Sequence, residues 1–306
     1  MTWQAVAQKD FEDAIRSRWL WGLSIFFLLF FGGTTTLFYV YVAGADASSD
    51  SLFGLFASGF LSFSYTGFIA FALAFIALIT SYGAVVDERE SGTLKLLLSL
   101  PHARRDVVAG KIAGRSAVVV IPALVGFLIA LVALLATGTR IVPGHFFPQI
   151  ALTALLAIAF VSIGVGVSAS ADSGRQATLG TLGLYFLFAL LWSFVARGFP
   201  QLLSEIAKRV PGVEPLAGPL SIKLRLLVKY LNPLRVYETL VAEVYFGDPV
   251  QARLVKEGFF TQAQAQPVLQ ESLPLYLTAP FLFAVLLGWI VVPPLLGYWS
   301  FRDQDL

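Results

Sequence analysis

Six stretches of the sequence contain no charged residue, and each is apolar enough to cross a lipid bilayer. They are residues 19–45, 51–86, 116–139, 141–171, 176–196 and 272–301. A spanning helix requires about 20 consecutive, mostly apolar residues. The pattern therefore predicts spans at 19–42, 63–86, 112–137, 147–169, 176–198 and 276–299, and with them an all-α integral membrane protein with six transmembrane helices.

The region before the first span, residues 1–18, has a different pattern. Its apolar residues recur at three- and four-residue steps among charged ones, and they are Trp3, Val6, Ala7, Phe11, Ala14 and Ile15. This spacing predicts an amphipathic helix lying in the membrane interface. A cytosolic tail is the alternative. Charges spread over the whole region argue against a cleavable signal peptide.

The stretch 199–275, called the outer segment below, separates the fifth and sixth spans. Pro200 is expected to open a short amphipathic helix. Asn232–Pro233 has the form of an N-cap followed by proline at the first helical position, and Gly247 is a typical residue after a helix end. We therefore predict a helix over 233–246 and short helices packed on the extracytoplasmic face; a disordered linker is the alternative.

Orientation follows from the Lys and Arg residues of the short loops. With the N-terminus inside, the inner side holds Lys9, Arg16, Arg18, Arg89, Lys95, Arg104, Arg105, Lys111, Arg115, Arg175 and Arg302, whereas the outer short loops hold only Arg140. Because positive charge is retained on the cytoplasmic side, both termini are predicted to be cytoplasmic, with the protein in the plasma membrane.

Composition narrows the classes of function. The chain of 306 residues is 57% hydrophobic and 13% charged, against about 25% charged in soluble domains. A net charge of +2 argues against nucleic acid as the partner. No cysteine and two histidines argue against disulfides and multi-histidine metal sites. The predicted spans lack ionisable residues in their middle thirds, which disfavours an ion-coupled carrier or an intramembrane enzyme, the two alternatives kept.

The loop between the second and third spans, residues 87–111, is called the first inner loop below. An acidic cluster ends the second span, Ser91–Gly92 permits a bend, and Pro101 ends a short helix whose apolar side chains are Leu94, Leu97 and Leu98. Arg104 and Arg105 lead back to the bilayer. From the residues alone, this is either a solvated connection or a docking element.

The sequence from Glu88 to Pro101, ERESGTLKLLLSLP, followed by Arg104 and Lys111, resembles the coupling-helix signature of ABC-2-type transporter permeases. It is most similar to the branch that includes the permease of the nitrous oxide reductase maturation system. The interfacial first helix, six spans, the outer segment and Leu231–Asn232–Pro233 extend the resemblance to nearly the whole chain.

The resemblance implies a permease that dimerises with a second copy or a similar chain and docks two separate ABC ATP-binding subunits. ATP and Mg²⁺ would be bound by those subunits, because the chain contains no Walker A motif. We expect no catalytic, cofactor or metal site in this chain, and transport in the export direction. Docking residues carried over from the resemblance are Glu88, Glu90, Ser91, Gly92, Thr93, Leu94, Leu97, Leu98, Pro101, Arg104 and Arg105.

The predicted helix 233–246 carries an apolar stripe formed by Leu234, Tyr237, Val241 and Val244. This stripe must be buried against the outer ends of the spans or against a second subunit. We expect an external lid over the substrate pathway, with Arg235, Glu238 and Glu243 facing water. A static scaffold for dimerisation or for an extracytoplasmic partner is the alternative.

Overall fold

The computed structural model describes residues 3–16, 18–33, 65–94, 103–136, 138, 141–210, 218–257, 259–271 and 273–302. Within these ranges the regular structure is helical throughout. The elements are α1 (Trp3–Ile15), α2 (Arg18–Phe27) with a π-helix at Leu28–Gly33, α3 (Tyr65–Ser81), α4 (Val86–Glu90), α5 (Arg104–Ala136), α6 (Pro143–Ser170), α7 (Gly174–Phe186), a π-turn at Leu187–Leu191, α8 (Trp192–Ala207), α9 (Gly218–Lys229), α10 (Pro233–Phe246), α11 (Pro249–Val255), α12 (Phe259–Glu271), a 3-10 turn at Leu275–Leu277 and α13 (Ala279–Arg302).

Five helical stretches among the described residues are long and apolar enough to cross a membrane. They are Thr66–Glu90, Arg104–Ala136, Pro143–Ser170, Gly174–Ala207 and Ala279–Arg302. These correspond to the second to sixth predicted spans and support an all-α membrane protein. The first predicted span, 19–42, lies within the described residues only as far as Gly33, so the count of six stays a prediction.

One predicted helix start is wrong. The helix that contains the third predicted span, α5, begins at Arg104, eight residues before residue 112, where that span was predicted to begin. Pro200 does not open a separate helix but lies buried inside α8, which continues the fifth span. Proline removes one backbone hydrogen bond, and the packing of α8 against α9 offsets that loss.

Helix α6 lies at the centre of the bundle and has its most extensive contact with α13. The two helices approach closely because each has a glycine at the contact. A Cβ on Gly166 would lie 2.5 Å from the carbonyl oxygen of Pro293, and one on Gly297 would lie 2.4 Å from the carbonyl oxygen of Gly166. Only glycine permits this approach, so α6 and α13 pack backbone against backbone.

The outer segment contains α9 to α12, and its central helix has the predicted bounds. The Asn232 side chain caps α10 by accepting from the backbone N–H of Leu234, Pro233 occupies the first turn, and Gly247 ends the helix with a φ of 66°. Helix α10 packs against α6, α13 and α3. The local capping signals therefore determined this helix, and its apolar stripe determined how it packs.

Candidate functional site

The first inner loop begins on a short helix that is fixed to the end of α6. The backbone N–H groups of Val85 and Val86 donate to the Ser168 hydroxyl at 2.9 and 3.1 Å. After α4, Gly92 adopts a φ of 76°, which disfavours residues with a Cβ. The Thr93 hydroxyl donates back to the carbonyl of Glu88 at 3.3 Å. The bend predicted at Ser91–Gly92 is therefore present and hydrogen-bonded.

A buried ion network connects this loop to α1 and α5. The Lys111 ammonium lies 2.9 Å from Glu88 and 3.2 Å from Asp10, and its side chain is 1% exposed. Arg115 approaches the same Asp10 carboxylate at 3.2 Å and also donates to the carbonyl of Thr80. Lys9, at the surface, lies 3.2 Å from Glu88. Opposite charges alternate along the network, so each buried charge has a counterion.

Further bonds connect the loop to the inner ends of three more helices. Arg89 donates to the carbonyls of Ala169 and Ala171 at the end of α6. The Glu90 carboxylate accepts from the backbone N–H of Gly174, which begins α7, at 2.7 Å. Arg104 donates to the carbonyls of Phe301 and Arg302 at the end of α13. These carboxylate and guanidinium groups satisfy helix-end groups that have no partner within their own helix.

The predicted docking residues therefore divide into two groups. Glu88, Glu90 and Arg104 bind other parts of this chain, as described above. Leu94 is 0% exposed within the apolar core. The Leu94 side chain, although it belongs to the predicted docking set, is thus covered by its own chain.

The rest of the predicted docking set has a different placement. Ser91 and Thr93 are exposed and Gly92 is half-buried. Arg105 has a side chain that is 79% exposed. Leu97, Leu98 and Pro101 lie outside the described residues. The surface that the described part of the loop offers to a partner is thus polar, with the acidic Asp87 and Glu90 exposed as well as the basic Arg105.

The ion network was not predicted, because the apolar stripe of α1 indicated only a helix with its charges on the opposite face. In the structure, Val6 and Asp10 both face α5, where they are 3% and 5% exposed. A Cβ on Gly110 would lie 2.6 Å from the Cβ of Val6, and one on Gly114 would lie 2.8 Å from the Cβ of Asp10. Two glycines four residues apart, opposite two α1 residues four apart, are the signal that could have predicted this contact.

The predicted stripe of the outer helix is buried in its own protomer. Leu234, Tyr237 and Val241 are at most 5% exposed, and Val244 is half-buried against the same core. The Tyr237 and Thr153 hydroxyls form a hydrogen bond of 3.0 Å.

Of the charged residues of the same helix that were expected to face water, Glu238 is buried and Glu243 is partly buried. Glu238 is only 8% exposed and lies 3.2 Å from Arg235. Glu243 pairs with the fully buried Arg253. The expectation for Glu238 is wrong because α10 is covered on more than one face, by α6, α13 and α3.

Lysine 256 connects the outer segment to the beginning of α3. Its ammonium donates to the Thr66 hydroxyl at 3.3 Å. Burial lowers the pKa of Lys256, and the nearby Glu238 carboxylate partly opposes that shift. Burial thus disfavours the charged form of the ammonium, whereas the hydrogen bond to Thr66 and the charge of Glu238 favour it.

Among the described residues, no group of three or more His, Asp or Glu side chains is arranged to hold a metal ion. His145 stacks edge-on against Tyr245, with ring centroids 5.3 Å apart, at the outer end of α6. His102 lies outside the described residues. The polar groups of the first inner loop instead join the ends of several helices.

Comparison with known proteins identifies the family of this chain. A family described as ABC-2 family transporter protein matches residues 4–306. The chain is 28% identical over 305 residues to the "Probable ABC transporter permease protein NosY" of Pseudomonas aeruginosa, covering 98% of both chains. It is 29% identical to the protein of the same description from Stutzerimonas stutzeri, covering 98% of this chain and 97% of that one. Family, hydropathy and helical architecture agree, and the chain belongs to the ABC-2 family of transporter proteins as a membrane permease subunit.

Proposed function

We propose that this permease forms the substrate pathway of an ABC exporter and couples it to ATP hydrolysis on separate ATP-binding subunits. The observation that carries the proposal is the set of bonds from the first inner loop to α1, α5, α6, α7 and α13. A force applied to such a loop reaches five helices through hydrogen bonds and ion pairs. ATP and Mg²⁺ belong to the partner subunits, two copies of which would bind a permease dimer.

The predicted docking residues have two different roles. Glu88, Glu90 and Leu94 hold the loop to its own chain and act by positioning it. Leu97 and Leu98 supply the apolar contact with the ATP-binding subunit, as the resemblance implies, and the exposed charge of Arg105 is available to the same partner. Coupling follows because a rigidly attached loop tilts with the subunit that it contacts.

Dimerisation is assigned to the fifth span. The helical stretch Gly174–Ala207 has 34 residues, about 51 Å at 1.5 Å per residue, whereas the hydrocarbon core is about 30 Å thick. Its exposed apolar residues include Leu179, Phe186, Leu190, Phe194, Leu202 and Ile206. Lipid covers only part of so long a stripe, and a second permease copy would cover the remainder.

Helix α10 is proposed to close the outer side of the pathway. Its stripe is packed on α6, α13 and α3 of its own chain, so opening would require α10 to separate from those helices. A disulfide between Val241→Cys and a cysteine at the outer end of the second or fifth span tests this role. If the disulfide abolishes transport while subunit assembly and basal ATP hydrolysis remain intact, the helix acts as a lid. If transport is unchanged, the helix is only a scaffold.

The coupling proposal is tested with Leu97→Glu in permease co-expressed with its ATP-binding subunit. Burying a carboxylate in an apolar cleft costs at least about 2 kcal/mol, which weakens the association roughly 30-fold. The matched control is Gln262→Glu on the exposed outer helix α12. Co-purification of the ATP-binding subunit and ATP hydrolysis in liposomes are measured. A Leu97→Glu permease that retains its partner and transports normally overturns the docking role.

Orientation is tested on the same chain, which has no native cysteine. Single substitutions Ser48→Cys, His102→Cys, Gln264→Cys and Gln304→Cys are labelled with a membrane-impermeant thiol reagent. We expect labelling from outside at 48 and 264 and from inside at 102 and 304. Any other order for the first three would place the first inner loop on the wrong side for an ATP-binding partner.

A further inference from the structure

The turn between α9 and α10 is not used by the proposed function, although Leu231–Asn232–Pro233 contributes to the family resemblance. Asn232 is fully buried. Its side-chain oxygen caps α10 by accepting from Leu234 N–H at 2.8 Å. Its side-chain amide donates to the carbonyl of Phe188, 44 residues earlier in the chain, at 2.7 Å. One side chain therefore both begins an outer-segment helix and binds the backbone of the fifth span.

The carbonyl that Asn232 binds belongs to an irregular part of that span. Residues Leu187–Leu191 form a π-turn between α7 and α8. A π-turn interrupts the regular i→i−4 bonding of an α-helix and leaves backbone groups for outside partners. Sharp bends of helices occur at such points. The Asn232 amide thus bonds to the fifth span at a point where that helix is irregular.

Two tryptophans hold the same turn from both sides. The indole N–H of Trp192, at the start of α8, donates to the carbonyl of Val228 at 2.9 Å. The indole N–H of Trp289, on α13, donates to the carbonyl of Leu231 at 2.8 Å. The rings of both tryptophans also contact the Phe188 ring, with centroids 5.3 and 5.1 Å apart. Three side-chain bonds therefore connect the outer segment with the fifth and sixth spans around one phenylalanine.

The Asn232 bond lies away from water. Asn232 is 0% exposed and Phe188 is 2% exposed. Water cannot readily replace a lost hydrogen-bond partner at such a buried site. Breaking the Asn232 bond therefore leaves the Phe188 carbonyl unsatisfied or forces the span to change its bonding.

We propose that Asn232 is a positioning residue that restrains the π-turn of the fifth span as a hinge, so that movement of the outer segment and bending of this span are coupled. The inference rests on the proposed transport function, since the bend would accompany substrate passage. A bend of about 20° at Phe188 displaces Leu202, roughly 21 Å further along the helix, by roughly 7 Å.

The test measures this displacement by pulsed electron double resonance between two spin labels. Phe147→Cys on α6 and Leu202→Cys on α8 provide exposed attachment sites, at 61% and 60% exposure, in a chain without cysteine. The permease is first reconstituted alone in nanodiscs, with labelled copies diluted in unlabelled ones. A second pair, Phe147→Cys with Leu179→Cys, reports on the part of the span that precedes the turn.

Two variants remove bonds at the hinge while keeping its surroundings. Asn232→Ser retains a capping hydroxyl but is too short to reach Phe188, and Trp192→Phe retains an aromatic ring without its N–H. The control is Asp248→Ser, which shortens the cap of α11 at an exposed position. We expect both hinge variants to broaden the 147–202 distance distribution or to shift it by roughly 7 Å. The 147–179 distance should not change in these variants, and neither distance should change in the control.

Different results would overturn the hinge and the proposed transport function. Wild-type distances in both hinge variants of the permease alone overturn the hinge, whatever the ATP-binding subunit does. In a second step the ATP-binding subunit and ATP are added to the wild-type permease, and a shift of the 147–202 distance is expected. Absence of binding and of any ATP-dependent shift, with the variant effects still present, overturns the proposed function and leaves the hinge intact.

Discussion

Replacing Lys111 with methionine tests whether the buried ion network holds α1 against the bundle. The Lys111 side chain is 1% exposed and bridges Asp10 at 3.2 Å and Glu88 at 2.9 Å. Methionine keeps the apolar stem and removes the charge. Removing one partner of a buried pair costs about 3–5 kcal/mol. Because Asp10 retains Arg115 and Glu88 retains Lys9, we expect a smaller loss of about 2–3 kcal/mol in the docking of α1.

The assay is the rate at which a thiol reagent modifies a cysteine introduced at Val6, which is 3% exposed against α5. The reagent reaches this position only when α1 separates from α5. A loss of about 2–3 kcal/mol raises the population of separated α1, and with it the labelling rate, roughly 30- to 150-fold.

The matched control is Lys9→Met, which removes another lysine from the same Glu88 carboxylate. Lys9 has a half-exposed side chain, and an exposed pair contributes only about 0.2–1 kcal/mol. Labelling should therefore rise less than about fivefold. Equal rates for the two variants would refute the role of burial, and an unchanged rate for Lys111→Met would show that the network does not hold α1.

Two further predictions concern the stability of the bundle, measured as thermal unfolding of purified permease in detergent. Gly166→Ala should lower the unfolding temperature, because the added methyl lies 2.5 Å from the carbonyl oxygen of Pro293, whereas Gly288→Ala meets no atom within 4 Å and should not. Arg253→Met should destabilise by about 3 kcal/mol, since it leaves Glu243 without its buried partner and the Leu277 carbonyl without its donor. The exposed pair of Lys208 offers a control, with Lys208→Met expected to change stability by less than about 1 kcal/mol.

Features that depend on adjacent residues were predictable. The apolar stretches of the second to sixth spans are continuous in sequence, and a bilayer requires backbone groups within them to be paired in helices. The cap at Asn232, the proline after it and Gly247 lie within one helix length, so the bounds of α10 were read directly. The bend at Gly92 followed from a dipeptide. In each case the physical requirement is met by residues that are neighbours in the chain.

Side chains that face another element were predicted less well. Asp10 was assigned to a polar face, yet it is buried because Gly114, more than 100 residues later, has no side chain to keep α1 away. Leu94 has the spacing of a docking face and is buried by its own chain. Glu238 was expected in water and is covered because α10 is surrounded by three spans. Period and composition describe a helix surface but do not state how many neighbours cover it.

The sequence by itself determined that this protein is a helical membrane permease, since apolar length, charge distribution and the first inner loop motif are all local properties. The tertiary structure alone decided that Lys111 connects α1 to the first inner loop and that Asn232 reaches the π-turn at Phe188. Those contacts join residues tens to about a hundred positions apart, and they matter because buried charges and backbone groups need partners once water is excluded. Burial of that kind exists only after the helices have packed.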